Sequence, residues 1–275
     1  MSLSLSLGAS ASTAGQVQPE RYSSGLITLL TLGVLLLLWW GVTLAGWIDP
    51  LFLPSPQAVA RKFWLVYSTG FMDATLQQHL AASLQRIVLA LLAAMLTAIP
   101  LGIWIGLSRV ARAVFDPLIE LYRPVPPLAY LPLIVIWFGI GEFSKVLLIY
   151  LAIFAPIVIG TASGVRQVQP VRLRAAQTLG ASRWQLIRFV VLPSALPEIV
   201  TSIRIGLGTG WSTLVAAELV AATQGLGFMV QSAAQFLVTD IVVMGIVVIA
   251  LIACTLELSL RWVTKKLIPW QGRNH

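Results

Sequence analysis

Charged and hydroxyl-bearing residues set inside long apolar runs are where this sequence could do chemistry. Glu120 and Arg123 stand three apart with Tyr122 between them, so a helix would put both charges on one face. Farther along, Trp211, Ser212 and Thr213 precede Glu218, the one carboxylate in the outer half of its apolar run. A charge at bilayer depth is costly and normally faces protein or a water-filled cavity. Two roles are therefore open for Glu120 and Arg123: an ion pair that anchors a bend, or the lining of a path through the membrane. Glu218 has the same choice between a path and hydrogen-bonded packing at a dimer seam. A second group lies in a polar, arginine-bearing island, Arg172–Glu198, reading RLRAAQTLGASRWQLIRFVVLPSALPE. Here Arg174, Ala175 and Ala176 precede a turn at Gly180 and Ala181, Ser182 can cap a second helix, and Leu192 and Pro193 lead back toward apolar sequence. Proline disfavours a helix interior, so Pro193 and Pro197 are expected to end that second helix. Alanines around a glycine hinge are what a helix lying closely in another protein's groove requires.

Other chemistry is absent from the sequence. No G-x-x-x-x-G-K-[ST] could cradle a nucleotide, no cysteine and histidine cluster could hold zinc, and no G-x-S-x-G elbow presents a nucleophile. His79 and His275 are far apart and read as solvated or interfacial side chains, and the single Cys254 reads as packing. The chain therefore reads as no enzyme, with no cofactor or metal of its own. It moves something, and another polypeptide supplies the energy.

The elements that position these residues follow from composition. Of 275 residues, 58% are hydrophobic and 10% charged, against roughly 25% charged in soluble domains. Apolar runs approaching the length of a membrane span recur, which predicts an all-α polytopic membrane protein with six transmembrane helices. They run over about 26–48, 80–107, 126–138, 146–165, 198–222 and 241–262. The third is proline-rich, and DPLIELYRPVPP should form a bent entrance to it. Between the first two, IDPLFLPSP and a mixed helical stretch, 57–67, should lie along the outer surface. The organisation expected is a mobile tail over 1–24, a first span and outer segment over 25–78, a transmembrane core over 79–262 enclosing a cytoplasmic loop at 166–198, and a second tail over 263–275. The net charge of +8 reflects orientation rather than nucleic-acid binding. Only Arg61, Lys62, Arg86 and Lys145 fall in outer segments, whereas the loops with Arg109, Arg166, Arg183, Lys265 and their neighbours fall inside. Both termini are then cytoplasmic.

The island resembles the coupling loop of ABC-importer inner-membrane permeases, the binding-protein-dependent transport family. Its signature is Glu-Ala-Ala, then Gly, then Leu-Pro; Ala175, Ala176, Gly180, Ala181, Leu192 and Pro193 match, while Arg174 stands at the Glu position. The Leu53-Pro54-Ser55-Pro56 segment, FMDATLQQHLAASLQRI, ELYRPVPPLAYLPLIVIWFGIGE and GWSTLVAAELVAAT are similar to the taurine branch of that family. The resemblance implies a type I (MetI-like) importer fold in the bacterial inner membrane, a permease homodimer, and two ATP-binding cassette subunits that carry the ATP and Mg. It also implies a periplasmic taurine-binding protein and alternating-access import of taurine, with other alkanesulfonates, nitrate or bicarbonate as alternative cargo. A path past Arg123, Tyr122, Ser212, Thr213 and Glu218 would suit a sulfonate and an ammonium.

Overall fold

The computed structural model describes residues 24–268, and every regular element among them is helical. Of the expected tails, residues 1–23, with Arg21, and 269–275, with Arg273 and His275, lie outside the described residues, whereas 263–267, expected in the second tail, continue the last helix. The chain divides into two units, 1–48 and 49–275. Helix α1, Ser24–Leu44, belongs to the first, and its leucines are exposed on all sides, as a lipid-facing helix requires.

In the second unit, Ser55 caps α2 (Pro56–Ser68), with Pro56 in the first turn where its missing N–H costs nothing. Thr75 and Gln78 form a reciprocal capping box at the start of α3, Leu76–Leu107. Then follow α4 (Arg109–Tyr122), a 3₁₀ turn (Pro127–Tyr130), α5 (Leu131–Phe138), α6 (Glu142–Arg166), α7 (Pro170–Thr178) and α8 (Arg183–Leu186). A π-type stretch, Ile187–Val191, leads into α9 (Leu192–Ala221), after which come α10 (Leu226–Gln235) and α11 (Thr239–Leu267).

Among the described residues five helices are long and apolar enough to cross a membrane: α1, α3, α6, the run from α8 through α9, and α11. The sixth crossing is a broken one. Helix α4 and the segment Pro127–Phe138 meet at 88°, and Pro124, Pro126 and Pro127 at the corner explain the break. The expected termination at Pro193 and Pro197 does not occur, because the helix runs on through both. Pro193 sits in the first turn of α9, just beyond the π-type stretch, and Pro100, Pro117 and Pro156 likewise lie inside continuing helices.

The core is a packed trio, α3, α6 and α9. Along α3 a stripe of small residues recurs every fourth position: Ala90, Ala94 and Ala98 are fully buried, and Gly102 and Gly106 continue it. A methyl group on Gly102 would lie 2.6 Å from Cβ of Thr161, and one on Gly106 2.6 Å from Cβ of Val165, so α3 and α6 approach as closely as their backbones allow. Gly164 performs the same service between α6 and α9, where a Cβ would reach Cβ of Glu198 at 2.8 Å. Two ion pairs tie on α11 and α2: Arg204 to Glu257 joins α9 to α11, and Lys62 to Asp240 at 3.3 Å joins α2 to α11.

Candidate functional site

Where the corner of the broken pair meets α6 and α9, the helices enclose a cavity of about 660 Å³. Tyr122, Arg123, Ser212 and Thr213 all line it, so four of the residues singled out in the sequence are brought together. The ring of Tyr122 stacks on Tyr130 at 5.7 Å, and its hydroxyl donates to the Leu151 carbonyl at 2.7 Å, which fixes the corner against α6. Pro156 and Gly160 floor the cavity from α6, and Glu198 and Thr209 face it from α9.

Three of the expected path residues are elsewhere. Glu120 lines a smaller cavity of about 180 Å³ that it shares with Arg123 and Asp116. No ion pair joins Glu120 to Arg123; the pair at this bend is Arg166 with Asp116, at 3.6 Å. Trp211 is buried in the α3–α6–α9 core rather than on the cavity wall. Glu218 does not line this cavity.

The Glu218 side chain is fully buried and saturated with donors. Its Oε1 accepts from Ser83 Oγ at 2.7 Å and from Arg86 Nη1 at 2.6 Å, and its Oε2 from the Gly227 amide at 2.8 Å. Arg86 spends its remaining donors on the Gln224 carbonyl at 2.7 Å and, through Nε and Nη2, on both oxygens of Glu142 at 2.6 and 2.8 Å. Lys145 Nζ completes the cluster on Glu142 at 2.7 Å. Two cations thus balance two carboxylates, with every charge hydrogen-bonded, the condition under which buried charge is tolerated. The turn before α10 is sewn into the same cluster: Leu226 N–H donates to Ser83 Oγ at 2.9 Å, and Gly225 N–H to His79 Nδ1 at 3.1 Å. Because Nδ1 accepts, the His79 proton resides on Nε2 and is donated to the Phe71 carbonyl at 3.0 Å. His79 is therefore buried and bonded, not solvated or interfacial. Gly225 has φ +138, and any side chain there would run into the Glu218 carboxylate. Sequence reasoning missed Ser83 and Arg86, although His79, Ser83 and Arg86 follow one another at i, i+4 and i+7, a polar stripe on an otherwise apolar helix.

At the other end of α9 the island folds as its residues dictate. After α7, Gly180 adopts φ +81; its N–H bonds to the Gln177 carbonyl at 2.9 Å and that of Ala181 to the Ala176 carbonyl at 3.1 Å, a Schellman cap. Ser182 and Gln185 then form a reciprocal capping box that starts α8. Arg174 and Ala175 are exposed beside large apolar groups, with Leu179 at 87% and Trp184 at 67%. Ala176 and Ala181 are half-buried, and Leu192 and Pro193 open α9.

The family described as "Binding-protein-dependent transport system inner membrane component" matches residues 98–269, which takes in the cavity, the island and α11. The chain belongs to that family. It is an inner-membrane transport permease, and its relatives are permeases too. It is 64% identical over 247 residues to the taurine transport system permease protein TauC of Escherichia coli (strain K12), covering 90% of each chain. It is 34% identical to the putative aliphatic sulfonates transport permease protein SsuC of the same strain, over 86% of this chain and 89% of that one. The riboflavin transport system permease protein RibX of Chloroflexus aurantiacus is 35% identical, over 88% and 89%. The fold matches that of a chain of the inward-facing MetNI methionine ABC transporter, with TM-score 0.61 at 17% identity, over 68% of this chain and 93% of that one.

Proposed function

We propose that this permease imports taurine, driven by ATP that partner subunits hydrolyse. The 64% identity to a taurine permease over 90% of both chains carries the reading. With Lys and Arg concentrated in the segments assigned to the inside, both termini and the Arg172–Glu198 island face the cytoplasm. Two copies of the chain would enclose the path between them, the common closed arrangement of identical subunits. Two ATP-binding cassette subunits, carrying the ATP and Mg, would each seat one island in a groove. Arg174, Ala175 and Ala176 on α7, the hinge at Gly180–Ser182, and Leu192–Pro193 at the start of α9 would be the points through which force enters. Because α8, the π-type stretch and α9 run on without a stop, a push on the island moves the inner end of α9, and with it one wall of the cavity. Nucleotide-driven closure would open the path to a periplasmic taurine-binding protein, and hydrolysis would return it to the cytoplasmic side. Tyr122, Arg123, Ser212 and Thr213 would line the route.

The test is uptake into liposomes holding the permease with its cognate ATPase, fed by the cognate binding protein. Taurine should accumulate only when ATP is present with the ATPase. A complex that accumulates longer alkanesulfonates, nitrate or bicarbonate and ignores taurine would replace this cargo with the alternative, which the 34% identity to an aliphatic sulfonates permease makes the next to examine.

A further inference from the structure

We infer that the central cavity recognises both ends of a zwitterion, Arg123 taking the anionic group and Glu198 the ammonium. The inference rests on the import reading above and adds to it a residue, Glu198, whose Cβ packs at Gly164 while its carboxylate forms no ion pair among the described residues. Arg123 and Glu198 are the charged side chains on the cavity wall, one from the end of α4 and one from α9. Neither forms an ion pair among the described residues, although Arg123 also faces Asp116 and Glu120 across the smaller cavity. Arg123 is exposed and Glu198 half-buried, so both charges are open to a solute that enters the cavity. Two unmatched charges of opposite sign in one cavity call for a solute that brings both.

The neutral groups divide in the same way. Ser202 Oγ donates to the Ile199 carbonyl at 2.8 Å, Thr209 Oγ1 to Gly206 at 2.9 Å, Ser212 Oγ to Gly208 at 3.3 Å and Thr213 Oγ1 to Thr209 at 2.9 Å. With their protons committed to the backbone, these oxygens offer the cavity lone pairs, and the Tyr122 hydroxyl is committed likewise. The α9 wall is therefore an acceptor surface that suits an ammonium with its three N–H donors. A sulfonate, all acceptor, finds its charged donor in the Arg123 guanidinium. A solute with a sulfonate and no amine would leave Glu198 desolvated and unpaired, and a site built to bond a missing group rejects the analogue strongly. The permease would then be a second filter behind the binding protein, selecting amino-sulfonates over plain alkanesulfonates.

The experiment uses the assembled permease–ATPase complex in lipid nanodiscs and radiolabelled taurine, with unlabelled taurine, ethanesulfonate and ethylamine as competitors. Wild type should bind taurine saturably and prefer it about ten-fold over ethanesulfonate, the scale of one charge-assisted hydrogen bond. Glu198→Gln should bring taurine and ethanesulfonate to within about two-fold of each other, Glu198→Asp should keep the preference, and Arg123→Gln should weaken competition by both sulfonates. If Glu198→Gln does not assemble, the wild-type competition decides alone. Ethanesulfonate displacing the label as well as taurine does, a preference that survives Glu198→Gln, or no saturable binding at millimolar taurine overturns the inference. In each of those cases ATP-driven taurine uptake by the wild type would leave the import reading standing; loss of that uptake sinks the reading itself.

Discussion

Two carboxylates on one helix, Glu198 and Glu218, show how this protein treats charge in opposite ways at its two ends. They stand about 30 Å apart along α9. Glu218 is fully buried and takes hydrogen bonds from Ser83, Arg86 and Gly227. Glu198 is half-buried, faces a cavity and has no ion pair among the described residues. The difference separates architecture from work. Where charges are matched, with Glu218, Arg86 and Lys145 buried and Glu142 closing the cluster at the surface, they clamp α3, the start of α6 and the turn before α10 into one block. Where they are unmatched, beside a cavity on the way to an exposed island, they are available to something that arrives.

Breaking the clamp should have the largest effect. Arg86→Leu leaves Glu218 buried without its cation, and removing one partner of a buried pair costs about 3–5 kcal/mol. Thermal unfolding of the purified permease should shift down sharply, and an unchanged melt would mean that the outer cluster is not what holds these helices. Gly180→Val sharpens the contrast from the other end. No atom lies within 4 Å of a Cβ placed there, so the penalty is the backbone's alone, about 1–3 kcal/mol for a β-branched residue at φ +81. The variant should insert, assemble and melt nearly as wild type does while ATP-driven uptake stops; normal uptake would rule out the hinge. Smallest of all should be Arg174→Glu, which alters an exposed side chain with no ion pair among the described residues. Uptake within about two-fold of wild type is expected for such a surface change. Its complete loss would place Arg174 in a charged contact with the ATPase.

Much of this arrangement is legible from residue order, and the exceptions have physical causes. Span lengths follow from apolar runs, and the hinge and both capping boxes follow from Gly180, Thr75-x-x-Gln78 and Ser182-x-x-Gln185, because each satisfies backbone groups locally. The continuation of α9 through Pro193 and Pro197 does not, since a proline inside a membrane helix is rescued by neighbouring helices that no local pattern reveals. Arg86 was counted as an outer, orienting charge. Its burial depends on Glu218, 132 positions away, and on Glu142, neither of which a local window connects to it. Glu218 was for the same reason a candidate for the path. The cavity itself is assembled from the α4 corner, α6 and α9, so Arg123 was visible as a charge in the wrong place, while Glu198 looked like the end of a loop.

The most direct test of the division between clamping and carrying charges is Arg123→Ala, measured for taurine uptake per assembled complex and for thermal unfolding on the same preparation. Uptake should fall by at least about ten-fold, the loss expected when a charge-assisted contact to solute is removed, with the melting temperature left close to wild type. A drop in melting temperature like that of Arg86→Leu, with uptake per folded complex unchanged, would make Arg123 another clamp and contradict the account.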